Sequence, residues 1–180
     1  RSAIKIQIPE QYQNRYSHFI SMLLTLYLDD DPAFLLGKLE NLSNLAQESL
    51  PDADFESLCV SWEAIGKNAH LSLTDLYQNR QGRVQFYAAR TALDLEDAAA
   101  LEIIVRISQD SNHPNQIQAI KPLHRYTGRP TARRALLALM DGADVSMRLL
   151  AYEGLRNARD VRIEPYKVKR GFWLDKVETQ

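Results

Sequence analysis

Apolar residues recur with helical spacing along most of this chain, in short segments separated by proline, glycine and aspartate. Two such segments run over residues 10–28 and 33–50. Paired segments follow at 55–65 and 69–78, at 83–95 and 96–109, and at 115–126 and 131–140, before a lone segment at 144–157. We therefore predict an all-α fold that is built from antiparallel helix pairs.

Small residues recur at the centre of the first helix in successive pairs. Ala88, Ala119 and Ala151 lie 31 and 32 residues apart, and Cys59 lies 29 residues before Ala88. A fixed period in this range is typical of a solenoid, in which each helix pair buries its apolar face against its neighbours. Small side chains at these positions let adjacent helix backbones approach closely. The pattern predicts an α-solenoid over residues 54–157.

The two ends of the chain depart from this pattern. Residues 1–53 predict an extended lead-in and two helices that pack on the solenoid. Residues 158–180 start with alternating apolar and polar positions and contain Pro165, which predicts an extended tail or the start of a further domain. The aromatic pair Phe172 and Trp173 either packs across the last helix or forms an exposed apolar tip that is suited to a partner.

The repeated helix pairs, with alanine at the midpoint of the first helix, resemble HEAT-like repeats over residues 54–157. This resemblance implies an α-α superhelix. A narrower resemblance rests on WEAIGK at 62–67, VQFYAA at 84–89, Met-Arg at 147–148 and Ala-Tyr at 151–152. Their order is similar to the HEAT-like regions of proteins called flagellar P-ring proteins in planctomycetes and their relatives. That similarity implies an exported bacterial protein of the periplasm or cell envelope, and without it we expect a cytoplasmic location.

The composition is that of a globular protein with enough length for one sizeable core: 180 residues, 45% apolar and 25% charged. No apolar run approaches the roughly 18 residues that span a bilayer, so we predict no transmembrane segment. The net charge of −1 hides an asymmetry: residues 1–110 have 9 Lys/Arg and 16 Asp/Glu, or −7, and residues 111–180 have 13 and 7, or +6. This is either ordinary variation in surface charge or a dipole that favours head-to-tail stacking. Because the chain begins at Arg1, we expect it to be an excised fragment.

No motif in the chain predicts a catalytic, cofactor-binding or metal-binding residue. The four histidines show no metal-ligand spacing, and there is a single cysteine. Cys59 is predicted to be a buried, inert thiol, and the alternative is a reactive pair with His70 on the partner helix. His124, beside Lys121 and Arg125, is predicted to be a solvated basic residue.

Basic and aromatic residues are the best candidates for partner binding. Residues 121–134 hold five basic residues, which form either a solvated face or an anion site of the kind that binds nucleic acid. Exposed aromatic side chains would anchor a protein partner, and Tyr77 and Tyr152 are candidates. The residues that we predict to bind a partner are Tyr126, Arg129, Arg133, Arg134, Phe172 and Trp173.

These features predict a non-enzymatic protein–protein interaction scaffold that belongs to a bacterial cell-envelope or flagellar basal-body assembly. The alternative is a nucleic-acid-binding HEAT-like protein of the DNA-repair type, which would use the basic face of residues 121–134. A third hypothesis, an accessory lyase or isomerase domain, rests on fold analogy alone. Homo-oligomerisation is plausible through the last helix, because an open solenoid end exposes apolar surface unless it is capped.

Overall fold

The computed structural model describes residues 32–142, 144–169 and 172–173, and those residues form helices and turns with no β-strand among them. The all-α class is therefore confirmed for this part of the chain, while the features predicted for residues 1–31 and 174–180 lie outside it. The helices are α1 (Pro32–Leu45), α2 (Asp52–Ile65), α3 (His70–Asn79), α4 (Gly82–Asp94), α5 (Ala100–Gln109), α6 (Ile120–His124), α7 (Pro130–Met140), α8 (Val145–Asn157) and α9 (Glu164–Lys167). Two 3-10 turns precede α3 and α9, at Gly66–Ala69 and Val161–Ile163.

Local chemistry that is visible in the sequence sets several helix ends. Asp144 caps α8, because its side chain accepts a hydrogen bond from the backbone N–H of Met147 at 2.8 Å. Pro130 occupies the start of α7, where a missing N–H costs no intrahelical hydrogen bond. Gly66 follows α2 with a φ of 68°, a conformation that glycine adopts without steric cost. These signals explain why the predicted boundaries of α2, α7 and α8 are correct to within a few residues.

The N-terminus of α4 is capped by a residue far away in the sequence. Glu48, in the loop after α1, accepts hydrogen bonds from the backbone N–H groups of Arg83 and Val84 at 3.0 and 2.9 Å. A carboxylate at this position also interacts favourably with the positive end of the helix dipole. Gly82 makes the approach possible, since its φ is 59° and a Cβ there would lie 2.7 Å from a Glu48 carboxylate oxygen.

Most helices pack against their successor in the chain and against the next helix but one. Successive contacts link α3 through α8, and further contacts join α1 to α3, α2 to α4, α3 to α5, α5 to α7 and α6 to α8. A single cluster of buried apolar side chains connects these helices. Its largest fully buried members include Phe55, Trp62, Leu73, Tyr77, Phe86, Ile104, Ile120 and Leu136. No helix in the described part of the chain is both long and apolar enough to cross a membrane.

The small residues of the sequence repeat all lie in this core. Ala88, Ala119 and Ala151 have no exposed surface, and Cys59 is 1% exposed. The Cys59 thiol donates a hydrogen bond to the backbone carbonyl of Tyr87 at 3.8 Å, which ties α2 to α4 at this point. The small-residue period therefore marks positions that are fully buried.

The prediction for the first helix of the third pair is wrong. Residues 110–119 form turns, and the helix predicted over 115–126 is reduced to the five residues of α6. Pro122 explains the late start. Pro122 is the third residue of α6, and backbone N–H groups in the first turn of a helix have no intrahelical acceptor, so the missing N–H of proline costs nothing there. In a helix that began at residue 115, Pro122 would lie in the interior and a hydrogen bond would be lost.

The second helix of the second pair begins at Ala100 and not at Glu96. Glu96 has a φ of 70°, in the left-handed region, and Asp97 accepts a hydrogen bond from the backbone N–H of Ala99 at 3.0 Å. These contacts form a turn that leaves Ala98 and Ala99 exposed. Of the three consecutive alanines at 98–100, only Ala100 is buried.

The segment after α8 is helical where an extended tail was predicted, so that prediction is wrong over residues 161–167. Asp160 accepts the backbone N–H of Arg162 at 3.1 Å and caps the 3-10 turn. Pro165 lies in the first turn of α9, the position that proline favours. Among the residues that suggested a half-buried strand, Ile163 is buried while Val161 is 77% exposed.

Phe172 returns to the last long helix and packs on it. The Arg148 guanidinium, on α8, donates hydrogen bonds to the backbone carbonyls of Phe172 and Gly142, each at 3.0 Å. Arg148 is only 3% exposed, and its guanidinium carbon lies 5.9 Å from the centre of the Phe172 ring. The exposed apolar face that was expected on this helix is therefore covered, at least in part, by the chain itself.

Candidate functional site

An open groove of about 910 Å³ lies between residues of α2, α4, α6 and α8 and the turns that precede α6. We call it the central groove. It combines aromatic and aliphatic side chains with basic and amide groups, and only one of its lining residues is acidic. The lining residues are Glu56, Phe86, Tyr87, Arg90, His113, Pro114, Gln116, Ile117, Gln118, Lys121, Pro122, Arg125 and Leu150.

One wall of the central groove is an arginine that is held against aromatic rings. Arg90 donates hydrogen bonds to both carboxylate oxygens of Glu56, at 2.7 and 2.6 Å. Its guanidinium carbon lies 5.0 Å from the centre of the Tyr87 ring, and Tyr87 stacks on Phe55 at 4.5 Å between centroids. A bidentate pair and a cation–π contact together fix the orientation of the guanidinium. This wall is therefore a preformed surface whose charge is already neutralised.

The opposite wall carries two basic residues with different partners. Arg125 forms an ion pair with Asp94 at the end of α4. Lys121, on α6, is exposed and forms no ion pair with any described residue. Lys121 is thus the one lysine or arginine of the groove whose charge is not balanced by a neighbouring carboxylate within the described part of the chain.

His113 stabilises the turns that form the end of the groove. Its Nε2 lies 3.0 Å from the backbone carbonyl of Gly82, and its Nδ1 accepts the backbone N–H of Asn115 at 3.1 Å. Nε2 must therefore carry the proton and donate to Gly82, which assigns a neutral imidazole. His113 acts as a connector between these turns and α4 and adds no charge to the groove.

Apolar side chains remain exposed beside these polar groups. Ile117 is 44% exposed, and Leu150 on α8 is partly buried. Gln116 and Gln118 flank Ile117, and their amides can each donate and accept hydrogen bonds. The groove therefore offers apolar surface for side chains together with groups that can pair with a peptide backbone.

His124 is not the solvated basic residue that the sequence suggested. It is half-buried between α6 and α8, and its Nε2 is buried without a hydrogen-bond partner among the described residues. A Cβ at Gly154 would lie 2.4 Å from a carbon of the imidazole ring. Burial lowers the pKa of His124, with an opposing contribution from a hydrogen bond to the backbone of Leu150. Its role is to pack α6 against α8.

The basic residues predicted over 121–134 do not form one site in the structure. Lys121 and Arg125 line the central groove, whereas Arg129 and Arg134 are exposed elsewhere on the surface. Arg133 donates a hydrogen bond to the Thr127 carbonyl at 2.9 Å and lies 3.6 Å from the Asp160 carboxylate. The hydroxyl of Tyr126 donates to the carbonyl of Leu93 at 2.7 Å, so this ring is partly buried and not a free anchor.

Asp160 and three arginines line another, smaller cavity of about 330 Å³ near the end of α8. Arg162 donates to its two carboxylate oxygens at 2.9 and 2.5 Å, and Arg133 and Arg159 also line the cavity. The hydrogen bonds from Arg162 outweigh desolvation and lower the pKa of Asp160 to about 2. This carboxylate thus neutralises part of the positive charge that the sequence placed here.

The predicted aromatic anchors are mostly buried. Tyr77 is 2% exposed and its hydroxyl donates to Asp97 at 2.9 Å, and Tyr152 is 8% exposed. Phe172 is 3% exposed, in edge contact with Trp173 at 4.9 Å between centroids. Of these four residues, Trp173 alone keeps a large exposed fraction, 43%. The aromatic residues near the C-terminus therefore pack across α8, which was the first of the two alternatives for them.

Cys59 has the properties of a structural thiol. Burial raises its pKa to about 11, so it carries no reactive thiolate at neutral pH. The suggested partner, His70, instead places its Nε2 3.2 Å from the backbone carbonyl of Leu95. The described residues hold no group of three histidine, cysteine, aspartate or glutamate side chains that could bind a metal ion.

No protein-family model matches this chain, and no curated protein or solved structure matches it either. The HEAT-like resemblance and the narrower P-ring resemblance therefore stay predictions. What the chain does has to be argued from its own surfaces.

Sequence reasoning did not anticipate the central groove. Its walls come from segments that are distant in the sequence, around Arg90, Ile117 and Leu150. One available signal was the VQFYAAR run, in which Arg90 follows the aromatic pair by a single helical turn. The other was the irregular stretch at 113–122, because turns rich in proline and amides often form binding surfaces.

Proposed function

We propose that this chain is a non-catalytic protein-interaction module, built as an α-solenoid, whose binding surface is the central groove. The contacts of α1 with α3, α2 with α4, α3 with α5, α5 with α7 and α6 with α8 support the solenoid arrangement. Further support comes from the spacing of the side-chain contacts that link successive helix pairs. Arg83 with Asp52, Arg90 with Glu56, and Arg125 with Asp94 are separated by 31, 34 and 31 residues. This separation matches the alanine period, as expected when equivalent positions of adjacent units stack.

The observation that carries the proposal is the exposed apolar surface of Ile117 and Leu150 beside a rigid aromatic and polar wall. Protein interfaces combine an apolar centre with a polar rim, and rigid aromatic residues at the centre contribute most of the binding energy. Arg90, held in one orientation over the buried Tyr87 ring, supplies the polar part of this arrangement. Membership of a bacterial envelope or flagellar assembly is the more specific form of the proposal, and it rests on the sequence resemblance.

Nucleic-acid binding is the alternative, and the exposed Arg129 and Arg134 are the residues that favour it. Two of the other arginines, Arg125 and Arg133, face carboxylates. Because affinity for nucleic acid grows with the number of phosphates that basic residues neutralise, this pairing favours a protein partner.

The test is affinity capture with the full chain as bait, from envelope and cytosolic fractions, each used with and without nuclease treatment. Ile117→Glu changes an exposed residue of the groove. Leu71→Glu is the matched control, because Leu71 is 86% exposed and lies outside the groove. We expect defined proteins to be retained by the wild type and by Leu71→Glu, and to fall at least fivefold with Ile117→Glu.

Two outcomes would overturn this proposal. Failure to retain any protein above a tag-only control, in either fraction, removes the interaction function. Recovery of nucleic acid that is lost on Arg129→Glu and Arg134→Glu and at high salt would assign the alternative function.

A further inference from the structure

The distribution of charge in the central groove limits which classes of ligand can bind there. Arg90 is balanced by Glu56 and Arg125 by Asp94, and His113 is neutral in its observed contacts. Lys121 is left as a single unbalanced positive charge in a groove whose remaining surface is mostly apolar. A ligand that complements this groove carries apolar groups along its length and a negative charge at one point.

A nucleic acid does not have this distribution. Each nucleotide adds a phosphate, whereas among the described residues that line the groove Lys121 alone is a lysine or arginine without an ion pair. A small metabolite is also a poor fit. The groove is open, and at about 910 Å³ it lies at the upper end of the roughly 300–1,000 Å³ range of small-molecule pockets, which normally enclose their ligands. An extended peptide suits an open groove, because its side chains alternate in direction and its backbone needs hydrogen-bond partners.

We propose that the central groove binds an extended segment of a partner protein that places apolar side chains on Ile117 and Leu150 and one carboxylate on Lys121. Gln116 and Gln118 stand beside Ile117 and provide donors and acceptors for the peptide backbone. The rigid Arg90 wall lowers the entropic cost of binding, because its side chains are ordered before the peptide arrives. This inference rests on the proposed interaction function and specifies its partner chemistry.

The experiment selects peptides on the full chain from a phage library that displays random 12-residue sequences. Enriched sequences are then synthesised with a fluorescent label, and binding is measured by fluorescence anisotropy. We expect enrichment of peptides that combine apolar residues with Asp or Glu. Lys121→Glu should weaken their binding at least tenfold, and replacing the peptide carboxylate by lysine should restore binding to Lys121→Glu.

Lys67→Glu is the matched control. Lys67 is exposed and lies outside the groove, and its substitution changes the net charge by the same amount as Lys121→Glu. It should leave the affinity within twofold of the wild type. The reciprocal charge exchange distinguishes direct pairing at Lys121 from a general effect of net charge or of folding.

Three results would overturn the inference. Enriched peptides without acidic residues would contradict it, and so would peptides whose affinity is unaffected by Lys121→Glu and Ile117→Glu. In the first case the chain still binds protein segments, so the interaction function would stand and only the acidic partner chemistry would fall. In the second case the interaction function would also stand, but the central groove would not be its binding surface. Binding of a labelled dT12 oligonucleotide that depends on Lys121, in place of peptide binding, would assign the groove to nucleic acid.

Discussion

The imidazole ring of His124 lies directly against the backbone of Gly154, so that α6 and α8 are in contact at a point where only glycine fits. This contact joins the five-residue helix α6 to α8, the last long helix among the described residues. It also fixes the position of Leu150, one turn before Gly154, at the edge of the central groove.

Gly154→Ala should destabilise the protein by about 1–3 kcal/mol, because the new methyl group would overlap the His124 ring. Urea denaturation followed by helical circular dichroism measures the change. In a His124→Ala background the same substitution should become neutral or stabilising, since alanine is favoured over glycine in a helix by roughly 1 kcal/mol once there is space for it. Equal costs in the two backgrounds would show that the two residues do not touch.

The burial of His124 predicts a pH dependence of stability. Burial lowers its pKa in the folded protein below the ordinary value of 6.5, so the unfolded chain binds the proton more readily. The free energy of unfolding should therefore fall as the pH is lowered from about 6.5 towards the folded-state pKa. Urea denaturation between pH 8 and pH 5 would detect this, with His124→Gln as the comparison. The variant should lose less stability over that interval than the wild type, and parallel curves would contradict the assignment.

The cap that Glu48 provides for α4 should also be measurable. Glu48→Ala removes the acceptor of two backbone N–H groups, and a lost helix cap typically costs about 1 kcal/mol. Glu63→Ala is the control, because Glu63 is an exposed glutamate on α2 and its replacement should change stability by less than about 0.5 kcal/mol. If thermal denaturation shows the same small effect for both variants, Glu48 is not a cap in solution.

Arg148 should hold the C-terminal segment on α8. Arg148→Ala leaves the carbonyls of Phe172 and Gly142 without their donor, and we expect a loss of about 2–3 kcal/mol. Hydrogen exchange followed by mass spectrometry should show at least tenfold faster exchange in peptides that cover residues 161–173. Arg156→Ala, an exposed arginine on the same helix, should leave this exchange unchanged. Unaltered exchange in Arg148→Ala would mean that other contacts hold the segment.

The sequence predicted most of the long helices because their signals are local. Asp144, Pro130 and Gly66 act within one turn of the boundary that they set, so their effect can be read without knowledge of the neighbours. The alanine period was equally informative, since a fully buried alanine reports a close approach that is repeated from one unit to the next.

The wrong predictions concern positions where the same residue type is compatible with two local conformations. Pro165 supported the prediction of an extended tail, and Pro122 fell inside the helix predicted over 115–126. Each lies within the first turn of a short helix, where proline is tolerated. The alternation around Val161 resembled a strand because period-two patterns carry no information about whether the apolar positions are buried. Only packing against α8 decides that Ile163 is covered and Val161 is not.

The candidate site could not be read from the sequence for a different reason. Whether Arg125 carries a net positive charge into the groove depends on Asp94, which is 31 residues away. Tyr77 and Tyr152 could have been exposed anchors on composition alone, and their burial depends on helices that are distant in the chain. Ion pairing and burial of this kind follow from the fold and have no local signature.

The return of Phe172 to α8 has a consequence for how copies of this chain could be joined. A repeat array can in principle be lengthened indefinitely, because every unit offers its successor the same kind of apolar face. Here that face on α8 is occupied by Phe172, and Arg148 holds the backbone in place. A second copy that extended the array from this end would first have to displace the segment. Any helix that packs on α8 at this position therefore competes with the side chain of Phe172 and with the hydrogen bonds of Arg148.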